Sequence, residues 1–183
     1  MSLNTYKKAL KQDTGPMRGL SLLLSCCGGV VALLFWRILV PLMPQDPAAS
    51  SMAVRLGSAT AALLPTAFVM AAMIAAQMTG RFAAGALDPL AGHETRFLLT
   101  NQRVITNSVE QMAAFAPGFL ALAAGATSDM LPEVLALGGT FAFARIIFWF
   151  GYLSAPIARA PGMAATFMVN ISTLLAATWF WLH

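Results

Sequence analysis

The residues in this chain that are most able to do chemistry lie in the polar stretch 101–111, which runs directly into an apolar segment. This stretch carries Arg103, Asn107 and Glu110. Each residue of an α-helix turns by about 100°, so these three side chains fall within about 60° of one another on one face. Charged groups in a helix of membrane length are costly, and they are normally retained for function or for pairing. This stripe is therefore the first candidate site.

A second group of polar residues follows later in the chain. Arg145 and Tyr152 are seven residues apart and share a helix face, and Arg159 lies in the turn that comes next. Guanidinium groups bind carboxylates through paired hydrogen bonds, and a lone carboxylate such as Glu110 suits an amine. A ligand with two carboxylates and one amine would match the combined set.

The same residues also permit a purely structural interpretation. Arg103 and Glu110 would then belong to an ion-pair network within the membrane, with Arg145 on a neighbouring helix as a further partner of Glu110. Tyr152 taken by itself is also typical of an anchor at the membrane surface. The spacing of the residues is compatible with a ligand site and with a packing network.

The composition of the chain indicates the environment in which these residues lie. Of its 183 residues, 58% are hydrophobic and only 10% are charged, whereas a soluble domain has about 25% charged residues. Several apolar runs are long enough for a helix to cross a membrane, which takes about 20 residues. The alternation found in β-barrel strands is absent. We therefore expect an all-α integral membrane bundle, and the net charge of +4 does not indicate a nucleic-acid partner.

The distribution of charge predicts an orientation for five membrane crossings. Acidic Asp46, Asp129 and Glu133 lie at the ends opposite to the N-terminus, together with Arg55 and Arg37. Cytoplasmic ends carry an excess of basic residues, so the N-terminus is expected in the cytoplasm and the C-terminus outside. The residues assigned to the cytoplasmic ends are Lys7, Lys8, Lys11, Arg18, Arg81, Arg96, Arg103 and Arg159.

Two motifs in this order resemble the signature of the MAPEG family, the membrane-associated proteins in eicosanoid and glutathione metabolism. One is Arg103-x-x-x-Asn107-x-x-Glu110. The other is Arg145-x-x-Phe148-x-x-Gly151-Tyr152, followed seven residues later by Arg159. The resemblance covers about residues 54–182. It implies a four-helix membrane domain at 54–183 that assembles as a homotrimer. Residues 1–53 would be a cytoplasmic segment and an additional transmembrane helix at about 19–43.

The resemblance also implies a ligand, glutathione, bound between protomers on the cytoplasmic side. Glu110 would meet the γ-glutamyl amine, and Arg103 and Asn107 would hold carboxylate and backbone groups. Tyr152 and Arg159 would contact glutathione from the other side of the pocket. Two further arginines complete the set, Arg145 as support for the site and Arg81 as the catalytic residue that stabilises the thiolate.

A transferase or peroxidase reaction follows from that resemblance. Glutathione is the co-substrate, and its thiolate would attack an electrophilic or peroxidic lipophilic molecule delivered from the membrane lipid. The stretch Asn101-Gln102-Arg103 resembles bacterial members, which implies a bacterial inner membrane. Phe148 is a departure, because several family enzymes carry tyrosine there. The alternatives are a non-catalytic structural or accessory membrane protein and, with less support, a small transporter or channel.

Overall fold

The structure of this protein is a computed structural model that describes residues 15–45, 47–86, 88 and 92–183. Lys7, Lys8, Lys11 and Asp46, which entered the charge argument, lie outside the described residues. The described part forms six α-helices and short 3₁₀ turns, which confirms the predicted all-α class. The helices are α1 (Gly15–Leu39), α2 (Met52–Ala62), α3 (Leu64–Ala84), α4 (Arg96–Gly125), α5 (Leu131–Ser154) and α6 (Ala160–Leu182).

Four helical segments of the described chain are long and apolar enough to cross a membrane. They are Met17–Leu42, Met52–Ala84, Ser128–Ser154 and Ala160–Leu182. The remaining predicted crossing, α4, is the third along the chain; it has 30 residues and would be about 45 Å long. Its lower hydropathy comes from the polar residues in its first half. These spans confirm an integral membrane protein.

The predicted second crossing consists of two helices, α2 and α3, that meet at Leu63. Pro65 lies in the first turn of α3. Proline has no backbone N–H, so it cannot complete the hydrogen-bond ladder of α2. Helix α3 stops at Gly85, whose φ of 64° is a left-handed conformation that glycine adopts readily.

Helix α6 packs against α1 on one side and against α4 and α5 on the other. Its first turn makes two close approaches. A Cβ atom on Gly162 would collide with the backbone of Phe148 in α5, and one on Gly28 of α1 would collide with Pro161. The absence of side chains at both glycines therefore lets three helices meet beside the turn that carries Arg159.

The largest apolar cluster lies in the half of the bundle away from that turn. Phe115, Phe119 and Phe141 are fully buried there. The ring centroids of Phe115 and Phe141 are 4.1 Å apart, and those of Phe115 and Phe119 are 5.1 Å apart. Stacked aromatic rings of this kind join α4 to α5 and hold the second half of α4 rigidly in place.

The additional helix α1 lies on the outer flank of α5 and α6. Its free face is strongly apolar, with Leu22 and Leu23 exposed by 68% and 61%. An apolar, unpartnered face of this kind suits contact with lipid.

Arg55 joins three segments at the end of the bundle opposite to Arg159. Its guanidinium donates hydrogen bonds to the carbonyl oxygens of Ala123 and Ala124 at 3.1 and 2.8 Å. It also donates to the carbonyl oxygens of Ala49 and Ser50, both at 2.9 Å. The last carbonyls of α4 have no partner within their own helix, so Arg55 caps α4 and ties it to α2.

We expect Arg55→Ala to lower the free energy of unfolding by at least about 2 kcal/mol, because charged hydrogen bonds to four carbonyl groups are lost together. The measurement is unfolding of the purified protein in mixed micelles with increasing sodium dodecyl sulfate. Arg37→Ala is the matched control, since Arg37 is exposed and lies over the ring of Trp36 at 5.3 Å. Equal effects of the two substitutions would contradict the capping role of Arg55.

Candidate functional site

Arg145 is the most deeply buried charged side chain near the predicted site, with 1% of its surface exposed. Its Nε and Nη2 atoms donate hydrogen bonds to the hydroxyl of Ser108 at 3.1 and 2.6 Å. The Nη2 atom also donates to Oδ1 of Asn107 at 3.2 Å, and Nη1 lies 3.5 Å from the hydroxyl of Thr166. The guanidinium therefore connects α5 to α4 and α6.

None of these hydrogen-bond partners of Arg145 is a carboxylate. The ring of Phe148 covers the guanidinium at 4.1 Å, and an aromatic face attracts a cation. No salt bridge joins Arg103, Arg145 and Glu110 to one another in the described chain. The positive charge of Arg145 is thus held by neutral groups, and it orients the amide of Asn107 towards itself.

Asn101, two residues before Arg103, forms a second buried contact between helices. Its amide nitrogen donates hydrogen bonds to Oε1 of Gln77 at 2.9 Å and to the carbonyl oxygen of Met73 at 3.0 Å. Its Oδ1 accepts a hydrogen bond from the indole of Trp149 at 2.7 Å. Asn101 is 0% exposed, so this network fixes α4 between α3 and α5.

The predicted stripe lies on the opposite side of α4, facing away from these networks. Arg103 and Glu110 are exposed in the single chain, whereas Asn107 is half-buried because it reaches Arg145. Seven residues of helix place Glu110 about 10 Å further along the axis than Arg103. A carboxylate and a guanidinium at this separation can contact opposite ends of one small peptide.

A cleft of about 460 Å³ opens beside Arg103, between the first turns of α4 and the turn from α5 to α6. Among the described residues, three guanidinium groups and no carboxylate line this cleft. Clefts lined by one sign of charge concentrate ligands of the opposite sign. The lining residues are Arg96, Leu99, Thr100, Arg103, Tyr152, Pro156 and Arg159.

The far wall of this cleft is held together by an aromatic contact. The guanidinium of Arg159 lies over the ring of Tyr152 at 4.7 Å from the centroid. Tyr152 in turn meets the edge of Phe148 at 5.7 Å. Arg159 is thereby positioned by α5 although it belongs to the following turn, and Phe148 supports both Tyr152 and Arg145.

Arg81, the predicted catalytic residue, lies outside this cleft. Its Nη2 atom forms an ion pair with Oε1 of Glu94 at 2.6 Å, and both side chains are 19% exposed. Its Nη1 atom is buried and has no hydrogen-bond partner among the residues that the structure describes. The ion pair connects the end of α3 to the loop before α4.

The structure therefore separates the seven predicted site residues into four groups. Arg103, Tyr152 and Arg159 share the cleft; Asn107 and Arg145 are bonded to each other behind it. Glu110 stands exposed on the same helix, and Arg81 is paired elsewhere. Sequence reasoning did not include Ser108 in the site. The only feature of the sequence that could have indicated it is a hydroxyl side chain on the buried side of α4, five residues after Arg103. It assigned Arg96 to the cytoplasmic ends but did not include it in the site, although Arg96 lines the cleft.

Comparison with known proteins identifies the chain. The family model for the MAPEG family matches residues 56–179, which is more than half of the sequence. Comparisons with curated proteins and with solved structures found no significant match. The matched region begins in α2 and ends in α6, so it contains the cleft, Arg81 and both motifs, and it excludes α1. The chain therefore belongs to the MAPEG family.

Proposed function

We propose that this protein binds glutathione in the cleft beside Arg103 and uses it as a co-substrate for lipophilic electrophiles or peroxides. The observation that carries the proposal is the cleft itself, which Arg96, Arg103 and Arg159 line and to which no described carboxylate contributes. Guanidinium groups are suited to carboxylates, and glutathione carries two. Membership of the MAPEG family supports this choice of ligand.

The other predicted residues have roles that fit this ligand. Glu110 lies on the same face of α4 as Arg103 and offers a carboxylate to the γ-glutamyl amine. Asn107 lies between them, and its amide oxygen is already occupied by Arg145, which leaves the amide nitrogen free to donate. Tyr152, packed against Arg159, would contact glutathione from the opposite wall of the cleft.

We infer that a second copy of the chain packs against the face of α4 that carries Arg103 and Glu110. Arg103 and Glu110 lie on the surface of one chain, and charged groups in contact with lipid are strongly unfavourable. Association that buries this face would remove that cost and close the binding site from the other side. We therefore include a homotrimer, as in the family, and a cytoplasmic position of the cleft in the proposal.

The chemistry would consist of thiolate formation followed by nucleophilic attack. A thiol with a pKa of about 8–9 is mostly protonated at neutral pH, and a nearby guanidinium favours the anion. The thiolate sulfur would form a bond to an electrophilic carbon, either displacing a leaving group that departs as its anion or adding to an activated double bond whose adjacent carbon then takes up a proton. With a hydroperoxide, two glutathione molecules would be oxidised to the disulfide while the substrate is reduced to an alcohol and water.

A non-catalytic role is the second candidate, and one observation favours it. Arg81, the predicted thiolate-stabilising residue, is already neutralised by Glu94 at 2.6 Å. The protein would then be a structural or accessory member of the family. An ion-pair network between Arg103 and Glu110 would in that case have to form between copies, since none exists within the chain.

We expect Arg103→Ala and Glu110→Gln each to weaken glutathione binding by about tenfold or more, because each removes one charge-assisted contact. The measurement is a thermal-shift titration of the detergent-solubilised protein with glutathione and with S-hexyl glutathione. Arg37→Ala and Asp129→Asn are matched controls, because both residues are exposed and lie at the other end of the bundle.

Two outcomes would count against this assignment. Unchanged glutathione binding in both variants would place the ligand elsewhere. Absence of any thermal shift in the unmodified protein, with dissociation of the oligomer on Glu110→Gln, would instead support the structural candidate. Molecular mass in detergent, measured by light scattering, separates loss of binding from loss of assembly.

Arg81 and Arg159 can be distinguished as thiolate-stabilising residues by ultraviolet absorbance of bound glutathione. Our prediction is that Arg81→Ala abolishes the thiolate signal while glutathione still binds. Glu94→Gln frees Arg81 from its ion pair, so it should preserve or strengthen that signal. Loss of the signal in Arg159→Ala but not in Arg81→Ala would transfer the role to Arg159, which lines the cleft.

A further inference from the structure

A second polar pocket, of about 320 Å³, lies between α1 and α6. Its α1 wall carries Ser21 and Ser25, and Arg159 contributes a cation. Arg159 also lines the cleft beside Arg103, and it is the one described residue that the two cavities share. Helix α1 lies outside the region that the MAPEG family model matches, so this pocket depends on a helix that the family match does not include. The remaining lining residues are Ala160, Met163, Ala164 and Phe167.

The two serine hydroxyls of this pocket have no hydrogen-bond partner within the described chain, and both are accessible at its surface. A hydroxyl inside a helix often donates to the carbonyl oxygen four residues earlier, as Thr140, Ser154 and Thr166 do at 2.8, 2.8 and 2.7 Å. Ser21 and Ser25 are one turn apart, which places them on one side of α1 and separates them by about 6 Å along its axis. They therefore offer two free hydrogen-bond donors to a ligand.

The charge around these serines is positive. The guanidinium of Arg159 is exposed and lies over the ring of Tyr152 at 4.7 Å from the centroid, a contact that leaves its charge uncompensated. Arg18 precedes Ser21 by three residues and Ser25 by seven, so it falls within about 60° of both on the same face of α1. Neither arginine forms a salt bridge within the described chain, and no described carboxylate lines the pocket. The pocket is therefore suited to an anion.

The polar and apolar parts of the pocket lie at different depths. Helix α1 runs from this end of the bundle to the opposite one, since Gly28 lies against Pro161 and the indole of Trp36 reaches the first turn of α5. The serines precede Gly28, and Arg159 precedes Pro161, so the polar groups lie towards the end at which both membrane spans begin. Phe167, which is exposed, follows Arg159 by eight residues and lies about 12 Å deeper along α6. This order suits an amphiphile with an anionic head.

The spacing of the donors favours a phosphodiester over a carboxylate as that head. Two hydroxyls about 6 Å apart and a guanidinium from the facing side of the pocket are too widely separated for the two oxygens of one carboxylate. A phosphodiester has four oxygens, and a glycerol head adds hydroxyls that both donate and accept. Basic pockets between transmembrane helices are suited to anionic lipid head groups. A lipid also supplies an acyl chain for the apolar part of the pocket, which a soluble phosphate does not.

We propose that this pocket binds one anionic glycerophospholipid of the phosphatidylglycerol type. Its phosphodiester lies on Arg159, Ser21 and Ser25, and an acyl chain lies along Phe167 between α1 and α6. The proposal goes beyond glutathione binding and does not depend on it, because the two serines lie outside the cleft beside Arg103. Arg159 is the point at which the two cavities meet.

Binding can be measured by native mass spectrometry of the full-length protein in a maltoside detergent. The probes are dioleoyl phosphatidylglycerol and dioleoyl phosphatidylcholine, which share both acyl chains and the phosphodiester and differ in net charge. We expect phosphatidylglycerol to saturate at one lipid per chain, with an affinity at least about tenfold higher than that of phosphatidylcholine. Inorganic phosphate and oleate are added as competitors in separate titrations, and neither should displace the lipid at equal concentration.

Two variants test the polar groups of the pocket. The double substitution Ser21→Ala with Ser25→Ala, and separately Arg159→Gln, should each lower the affinity for phosphatidylglycerol by about tenfold. Ser58→Ala and Arg37→Gln are the matched controls and should leave it unchanged, because Ser58 belongs to α2 and the exposed Arg37 to the far end of α1. Circular dichroism and elution volume establish that each variant is folded.

Glutathione binding, followed by thermal shift in the same variants, separates this proposal from the function proposed above. The double serine variant should lose the lipid and keep glutathione, whereas Arg159→Gln should weaken both. Equal affinities for the two lipids in the unmodified protein, or retained preference for phosphatidylglycerol in either variant, would overturn the lipid site. Displacement by inorganic phosphate or by oleate at equal concentration would also overturn it, because the occupant would then be a free anion or a fatty acid.

Discussion

The buried guanidinium of Arg145 is the constraint on which the arrangement of this bundle depends. A charge in the middle of a membrane helix must be satisfied by its neighbours, because lipid offers no hydrogen bonds. Ser108 and Asn107 from α4 and Thr166 from α6 supply acceptors, and Phe148 supplies an aromatic face. Three helices must therefore meet at Arg145 in one register.

That register gives α4 two polar faces with different purposes. Asn101 and Ser108, seven residues apart, are buried and bond to neighbouring helices. Arg103 and Glu110, also seven residues apart, remain exposed. A helix fixed on one side by satisfied hydrogen bonds can hold unsatisfied charges on the other without rotating to hide them. The exposed position of Arg103 and Glu110 thus depends on the buried network behind them.

The sequence predicted the helical class, the membrane environment and the face shared by Arg103 and Glu110, because helical periodicity and hydropathy determine these features directly. The break at Leu63 was missed, although Pro65 is a visible signal in the printed sequence. The pairing of Arg81 with Glu94 and of Arg145 with Ser108 depends on how helices approach in space. Spacing along one helix cannot reveal such contacts, so the roles of individual arginines stay predictions.

The position of α1 connects the additional helix to the cleft in a way that the family match does not include. Gly28 of α1 fits against the backbone of Pro161, two residues after Arg159. On the other side of the same turn, Gly162 fits against Phe148, which supports Tyr152 beneath Arg159. The turn is therefore packed between α1 and α5, and movement of α1 would displace Arg159. The packing of α1 therefore also sets the position of one cationic wall of the cleft beside Arg103.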